Sequence, residues 1–455
     1  MILGSTEGTP EILAMYQSKI AKCILEQNNF YRESHLLSSE NKQTDVKTEL
    51  LVLCQLFYPE LVSTGQTLTE LCEELVGLGV DVEVVCGPMT VINRDKKAAK
   101  CIEHKGIRIR RVWGTRFPKL HLIGRVINQI TFAISTFFYL LFHHHKKPIL
   151  VLTNPPFLAV ICGILKLLKI SGPYIYLVFD VYPDTAVRLG VLKENGLLSR
   201  LWEQFNTFVF KHASAIVVIG RCMEEVIMKK MKNHNLTPNG KLHCISIWSD
   251  DKLIRSAWER ENPLRKKWGL EDKFVVGYFG NMGRFHDMET IISAAEILKD
   301  NKDICFLFVG EGHKKQATVE YAAKHNLQNC QFHTYVDRQD LGYLMNLAEI
   351  GIVSLLEGQE GLSVPSKAFG LMAAGVPLVA VMSPKSEIAR IIKEEGCGIV
   401  VKPGEKKVLA DSILQLSNAD AQLKQMGTNA LMAIQEKYNL DKISKKYFDL
   451  IEQIV

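Results

Sequence analysis

Paired cysteines are missing from this chain. The 11 cysteines are odd in number and form no CxxC motif. Several, including Cys54, Cys162 and Cys305, lie inside apolar runs, as free thiols buried in a reducing compartment do. A large charge imbalance is missing too: the net charge is +6 and no lysine or arginine block stands out. That argues against nucleic acid as a partner and suits anionic ligands or an anionic bilayer. No secretory signal opens the chain, since residues 1–48 scatter Glu7, Glu11, Glu26, Glu33 and Glu40 among polar residues. The expected location is the cytoplasm. There is no GxxxxGK(S/T) loop, no complete GxGxxG, no HExxH and no DxD triplet at a strand end. P-loop hydrolysis, dinucleotide binding and zinc proteolysis therefore lose their signatures.

What is present is a long alternation of strands and helices. With 455 residues, 47% hydrophobic and 23% charged, the chain has apolar mass for more than one core. Residues 1–48 read as a weakly structured extension, with an amphipathic stretch near 11–27. From Glu49 the texture changes. Leu51–Phe57 is a nearly continuous apolar run of strand length. Thr64–Leu78 places Leu68, Leu71, Cys72 and Leu75 on one helical stripe, and Gly79 stops it. Further strands are expected at 82–86, 107–112, 149–153, 174–179 and 215–219. After a polar stretch near 249–263 a second series brings strands at 274–279, 304–309, 330–333, 350–353, 377–380 and 398–401, with helices between. Such alternation predicts parallel sheets covered on both faces. The reading is two doubly wound, Rossmann-like α/β domains, 49–255 and 256–435, facing across a cleft, followed by a last segment, 436–455. In such sheets ligands bind beyond the carboxyl ends of the strands.

One segment breaks the pattern. Ile130–Phe142 is almost wholly apolar, with Arg116, Lys119 and Arg125 before it and Lys146 and Lys147 after it. Thirteen residues are too few to span a bilayer. The segment reads as a helix of the first domain, or as an interfacial helix that brings 116–147 to a membrane surface. His143–His145 reads as a solvated helix end, because three adjacent histidines cannot all face one ion.

Residues suited to phosphate gather in the second series. Gly277–Arg284 ends a strand in a glycine-spaced loop, where backbone can approach a ligand and Arg284 offers forked donors. A glycine-rich turn with a surface arginine fits that stretch equally well. In Val364–Pro377, Ser366 is expected to cap a helix whose first turn holds Lys367. A lysine there opposes the helix dipole and costs stability unless an anion offsets it, which favours a diphosphate. In the first series, Ser63, Thr64, Gly65 and Gln66 open a helix, either as a tight turn or as a place where donor or acceptor meets backbone. Asp180 and Asp184 follow a later strand; one would bind or deprotonate an acceptor hydroxyl, or they cap the next helix. Trp248, Asp250 and Asp251 are expected as hinge packing.

Phe57–Glu60 with Ser63–Gln66, Asp180–Asp184, Gly280–Arg284, and Val364–Lys367 with Met372–Gly375 recur in this order over nearly the whole chain. Together they resemble retaining GT-B glycosyltransferases of family 4, especially bacterial surface-polysaccharide enzymes of the colanic-acid and O-antigen fucosaminyltransferase kind. The resemblance implies a UDP- or GDP-sugar donor held through Gly65, Asn281, Gly283, Arg284, Glu360, Pro365, Ser366 and Lys367. It implies acceptor contacts from Thr64, Gln66, Asp180 and Asp184, to a glycan or a lipid-linked glycan, which suits the apolar segment. Arg284, Lys367 and Asp180 become the catalytic candidates. No cofactor or metal is expected, because arginine, lysine and a helix end would neutralise the leaving diphosphate. A last helix near Leu440–Ile454 would cross back onto the first domain. The chain also departs from the pattern. Many relatives carry two glutamates eight positions apart where Leu362 and Gly370 stand, so Glu357 or Glu360 is left for the sugar and the ribose contact is unassigned. His286 stands near the place of a second phosphate-binding lysine. These departures leave two other readings: a nucleotide-sugar epimerase of the same architecture, and a catalytically silent nucleotide-sugar-binding protein.

Overall fold

The computed structural model describes residues 48–60, 64–89, 99–117, 122–143, 146–249, 254 and 261–455. The expectations for 1–47, Ser63, Lys119, Asp250 and Asp251 lie outside them. In the first domain, β1 (Glu49–Cys54), β2 (Asp81–Cys86), β3 (Cys101–His104), β4 (Ile107–Arg111), β5 (Ile149–Leu152), β6 (Tyr174–Val178), β7 (Ala215–Val218) and β8 (Leu242–Cys244) form one sheet in the order β3-β4-β2-β1-β5-β6-β7-β8. Its described helices are α1 (Thr64–Gly77), α2 (Leu122–Phe142), α3 (Leu158–Leu167), α4 (Asp184–Arg188), α5 (Leu197–His212) and α6 (Arg221–Asn233). The second sheet has the order β11-β10-β9-β12-β13-β14, built from β9 (Phe274–Phe279), β10 (Ile304–Val309), β11 (Cys330–His333), β12 (Ile350–Ser354), β13 (Leu378–Val381) and β14 (Gly398–Val401). Around it lie α7 (Pro263–Lys267), α8 (Met288–Ile297), α9 (Lys315–Lys324), α10 (Leu341–Met345), α11 (Lys367–Ala373), α12 (Glu387–Glu395), α13 (Lys406–Leu416) and α14 (Asp420–Ala433), and α15 (Leu440–Ile454) ends the described chain.

Both sheets are parallel apart from one edge. β3 runs antiparallel to β4, joined by Lys105 and Gly106 with φ of 46 and 79. Two consecutive positive φ values make the tight hairpin turn that suits strand twist. The chain order reverses between β1 and β5 in the first sheet and between β9 and β12 in the second. Crevices for ligands open at such reversals, beyond the carboxyl ends of the strands.

The apolar segment forms a longer helix than expected. α2 runs for 21 residues because Arg125, Asn128 and Gln129 interrupt the hydropathy without interrupting the helix. Among the described residues, Ile123–Phe142 is long and apolar enough to cross a membrane by length and composition, which corrects the estimate of thirteen residues. One face is nonetheless seated on the domain: Asn128, Phe132, Thr136 and Leu140 are buried at four-residue spacing.

One apolar core runs unbroken from the first sheet through Ile247, Trp248 and Ile254 onto one face of the second sheet. A separate core fills the other face of the second sheet. α15 returns to pack on α1, with Ile443, Tyr447, Leu450 and Ile451 buried. Ser249 and Asn439 pair as an isolated bridge where the chain crosses between domains.

Candidate active site

The phosphate-side loop is shaped by close backbone contact. Gly280, just after β9, has φ 116, and Gly310, just after β10, has φ 145. A Cβ on Gly310 would stand 2.0 Å from the Gly280 carbonyl oxygen. Only glycine lets these two loops press together. The loop Gly280–Arg284 is braced further. The Met282 N–H donates to the Glu311 carbonyl at 2.8 Å, the Gly283 N–H to His286 Nδ1 at 2.9 Å, and the Tyr278 hydroxyl to the Asn281 carbonyl at 3.0 Å.

Lys367, the first residue of α11, reaches this loop. Its Nζ lies 3.8 Å from the centre of the Tyr278 ring and donates to the Asn281 carbonyl at 3.2 Å. No carboxylate pairs with it among the described residues. Burial without a counter-charge lowers its pKa to about 7. Arg284 is exposed on the same loop and makes no hydrogen bond or ion pair with the described residues. Asn281 is exposed and Gly283 buried beneath it.

Ser366 does not cap α11. Its φ of −62 and ψ of −24 are already helical and its side chain accepts no amide bond; an N-cap needs extended backbone. α11 has only 7 residues, so local positive charge comes mainly from Lys367 and Arg284 rather than a helix dipole. Pro365 and Glu360 are partly buried, and Glu357 is exposed. His286 is not a stand-in for the second lysine. Burial pushes its pKa down to about 2, and because Nδ1 accepts from Gly283 the ring is neutral and carries its proton on Nε2.

The two departures from the family pattern have different surroundings. Leu362 is buried and its carbonyl accepts the Val181 N–H at 3.0 Å, across the domains. A Cβ on the preceding Gly361 would lie 2.4 Å from the Cys222 carbonyl. The place of the sugar-binding glutamate is thus an apolar contact between domains. At Gly370 there is room, the nearest side-chain atom to a built Cβ being Met345 Sδ at 3.7 Å. Arg188, which drew no attention in the sequence, brings its guanidinium within 3.3 Å of a Cβ built on Gly358.

On the first domain, Asp180 follows β6, its N–H 3.4 Å from Thr153 Oγ1. Burial raises its carboxyl pKa to about 6, a value useful for proton transfer near neutrality. Asp184 is committed elsewhere. It sits in the first turn of α4 and pairs with Lys230 of α6 at 2.6 Å, so its charge ties two helices together. Gly65 is explained by packing: a Cβ there would stand 2.6 Å from the Glu60 carbonyl. Thr64 opens α1, and Gln66 turns its amide to Glu70 Oε1 at 2.9 Å. Glu70 itself was missed. It also receives Trp248 Nε1 at 3.2 Å and Arg338 Nη2 at 2.9 Å. Residues so far apart in sequence carry no local signal of their pairing.

Comparison with known proteins agrees with this geometry. Residues 260–432 match the family of glycosyl transferases group 1, and residues 64–239 match the glycosyl transferase 4-like domain. The probable glycosyltransferase WbjE of Pseudomonas aeruginosa is 32% identical over 63% of this chain and 70% of its own. The putative colanic acid biosynthesis glycosyl transferase WcaI of Escherichia coli (strain K12) is 24% identical over 79% of this chain and 89% of its own. Among solved structures, HepE of Anabaena in complex with UDP superposes with a TM-score of 0.66 at 14% identity, covering 89% of this chain and 100% of that one. Twin parallel sheets, a cationic glycine loop, and relatives matched over most of their length lead to one statement: the chain belongs to the GT-B glycosyltransferases of the group 1, family 4 type, similar to bacterial surface-polysaccharide enzymes.

Proposed function

We propose that this glycosyltransferase moves a sugar from a UDP- or GDP-sugar to a glycan or lipid-linked acceptor, with retention at the anomeric carbon, in the synthesis of a cell-surface polysaccharide or glycolipid. The observation that carries the donor assignment is Lys367, held without a carboxylate against the loop that leads to Arg284. A nucleoside diphosphate placed there meets two cations. As the sugar bond breaks, charge grows on the leaving phosphate, and these fixed groups stabilise it without a metal. Asp180 orients the acceptor hydroxyl and takes up its proton. Retention is carried over from the family likeness. UDP is the first base to try, since HepE, of the same fold, was solved with it.

A panel of UDP- and GDP-sugars should include one that stabilises the chain by about 2.7 kcal/mol at a hundred times its dissociation constant. Nucleoside diphosphate should be released only when an acceptor is present, which excludes an epimerase, and Lys367→Ala should abolish that release. Stabilisation by none of the panel, with no transfer, would overturn the proposal.

The same reading places the enzyme at the cytoplasmic face of the plasma membrane. Opposite its buried face, α2 exposes Ile123, Ile127, Ile130, Ile134, Phe138 and Phe142, with Arg125 and Lys146 nearby in sequence. An apolar stripe with basic residues beside it suits an anionic bilayer surface. Gln129 Nε2 donates to Asn154 Oδ1 at 3.0 Å, just beyond β5, so the stripe begins at the acceptor side. Replacing Ile134 and Phe138 with Glu should abolish flotation with phosphatidylglycerol vesicles and leave UDP affinity intact. Unchanged flotation would remove the membrane assignment.

A further inference from the structure

We infer that Glu70 is a positioning residue. It ties the start of α1 to the nucleotide-side loops of the second domain and so sets the domain arrangement in which transfer occurs. The inference rests on the transfer reading above. The Glu70 carboxylate is nearly buried, and donors from two distant parts of the chain converge on it beside one from its own helix. Gln66 Nε2 and Arg338 Nη2 both reach Oε1 at 2.9 Å, and Trp248 Nε1 reaches Oε2 at 3.2 Å.

Two of these donors stand where a shift between domains would be felt. Gln66, one turn earlier on the same helix, only holds the carboxylate in place. Trp248 is on the segment that leaves the first sheet, and its ring meets Tyr447 of α15 edge-on at 6.3 Å. Arg338 follows β11, whose neighbour β10 ends at the glycine pressed on Gly280. A move of the second domain against α1 therefore pulls on this one carboxylate. Arg338 Nη1 is enclosed with no hydrogen-bond partner among the described residues. A guanidinium that could give two parallel bonds gives one here, so the clamp is incomplete. An incomplete clamp suits a contact that must open to admit substrate and close again. Among the described residues, the other cross-domain ion pairs, such as Arg390 with Glu225 at 2.8 Å, involve neither α1 nor the nucleotide-side loops.

The test is a double-mutant cycle in the full chain with Glu70→Gln, Arg338→Gln and both, and Arg390→Gln as a control. UDP binding is read by calorimetry, transfer by kcat and KM, and compaction on adding UDP by small-angle scattering; GDP replaces UDP if the wild type binds that instead. Each single variant should lower kcat about tenfold and contract less than the wild type, with UDP affinity within about twofold. The double variant should be no worse than the worse single, as expected for partners in one contact. Additive losses, an unchanged kcat, or an equal loss in Arg390→Gln would overturn the inference. If Glu70→Gln does not fold, Arg338→Lys at a site 36% exposed probes the same contact with the charge kept. A wild type that transfers no sugar would sink the transfer reading, while the scattering comparison would still judge the latch.

Discussion

An ammonium held against an aromatic face and one carbonyl is short of stabilisation until an anion arrives. For Lys367 the pKa falls from 10.5 to about 7. Between those values the unfolded chain binds a proton that the folded chain has given up. Linkage then requires that the stability of the donor-free protein rise with pH across that window. Urea unfolding at several pH values should show the slope, and Lys367→Met should flatten it. The diphosphate acts in the opposite sense, because it favours the charged form; UDP affinity should weaken as pH rises above about 7. Asp180 makes a separate prediction. With its carboxyl raised to about 6, kcat should fall as pH drops through that value. Asp180→Asn should cost about 10²–10⁴ in kcat with UDP affinity unchanged, and a flat profile would remove its role. The positions of Lys367, Arg284 and Asp180 in the fold were legible because each is conspicuous locally: a charge opposing a helix start, a charge in a glycine loop, a carboxylate after a strand. The capping expected of Ser366 failed because its backbone is already helical, and the Asp184–Lys230 pair carried no local signal because a side chain's commitment depends on neighbours that only folding supplies.

At the scale of elements, α2 is the instructive case. Hydropathy alone ended it at Ile130, since Arg125, Asn128 and Gln129 look like a boundary. The two stripes at four-residue spacing show instead a helix with one face on protein and one face free. A helix seated this way is part of the fold. Phe132→Ala, at a fully buried site, should cost about 3–5 kcal/mol, while Ile134→Ala on the free face should cost under about 0.5 kcal/mol. Urea denaturation separates the two, and equal small costs would mean that α2 does not hold to the sheet. In the edge hairpin β4 was legible but its partner β3 was not, because β3 is short, half exposed and free of alternating apolar residues. β8 was missed too, being three residues long and only half buried; the other strands were legible as apolar runs, which parallel sheets demand.

At the scale of the whole molecule, the division into two α/β domains followed from the alternation, but their coupling did not. Strand order and the shared core through Trp248 are non-local, while the return of α15 was expected only through the family likeness. Deleting 440–455 should uncover the outer face of α1 and remove the edge-on partner of Trp248. Calorimetry should then show a lower melting temperature and a split transition in place of one. A single unshifted transition would mean that the last helix is dispensable.

The strap also imposes an order on synthesis. α1 leaves the ribosome long before the helix that lies over it. The amino-terminal half, with all its strands already translated, must wait with an apolar seam open while the carboxyl-terminal half closes its own sheet. Nascent chains halted before Leu440 should therefore be captured by chaperones at that seam, and released once the remaining turns emerge.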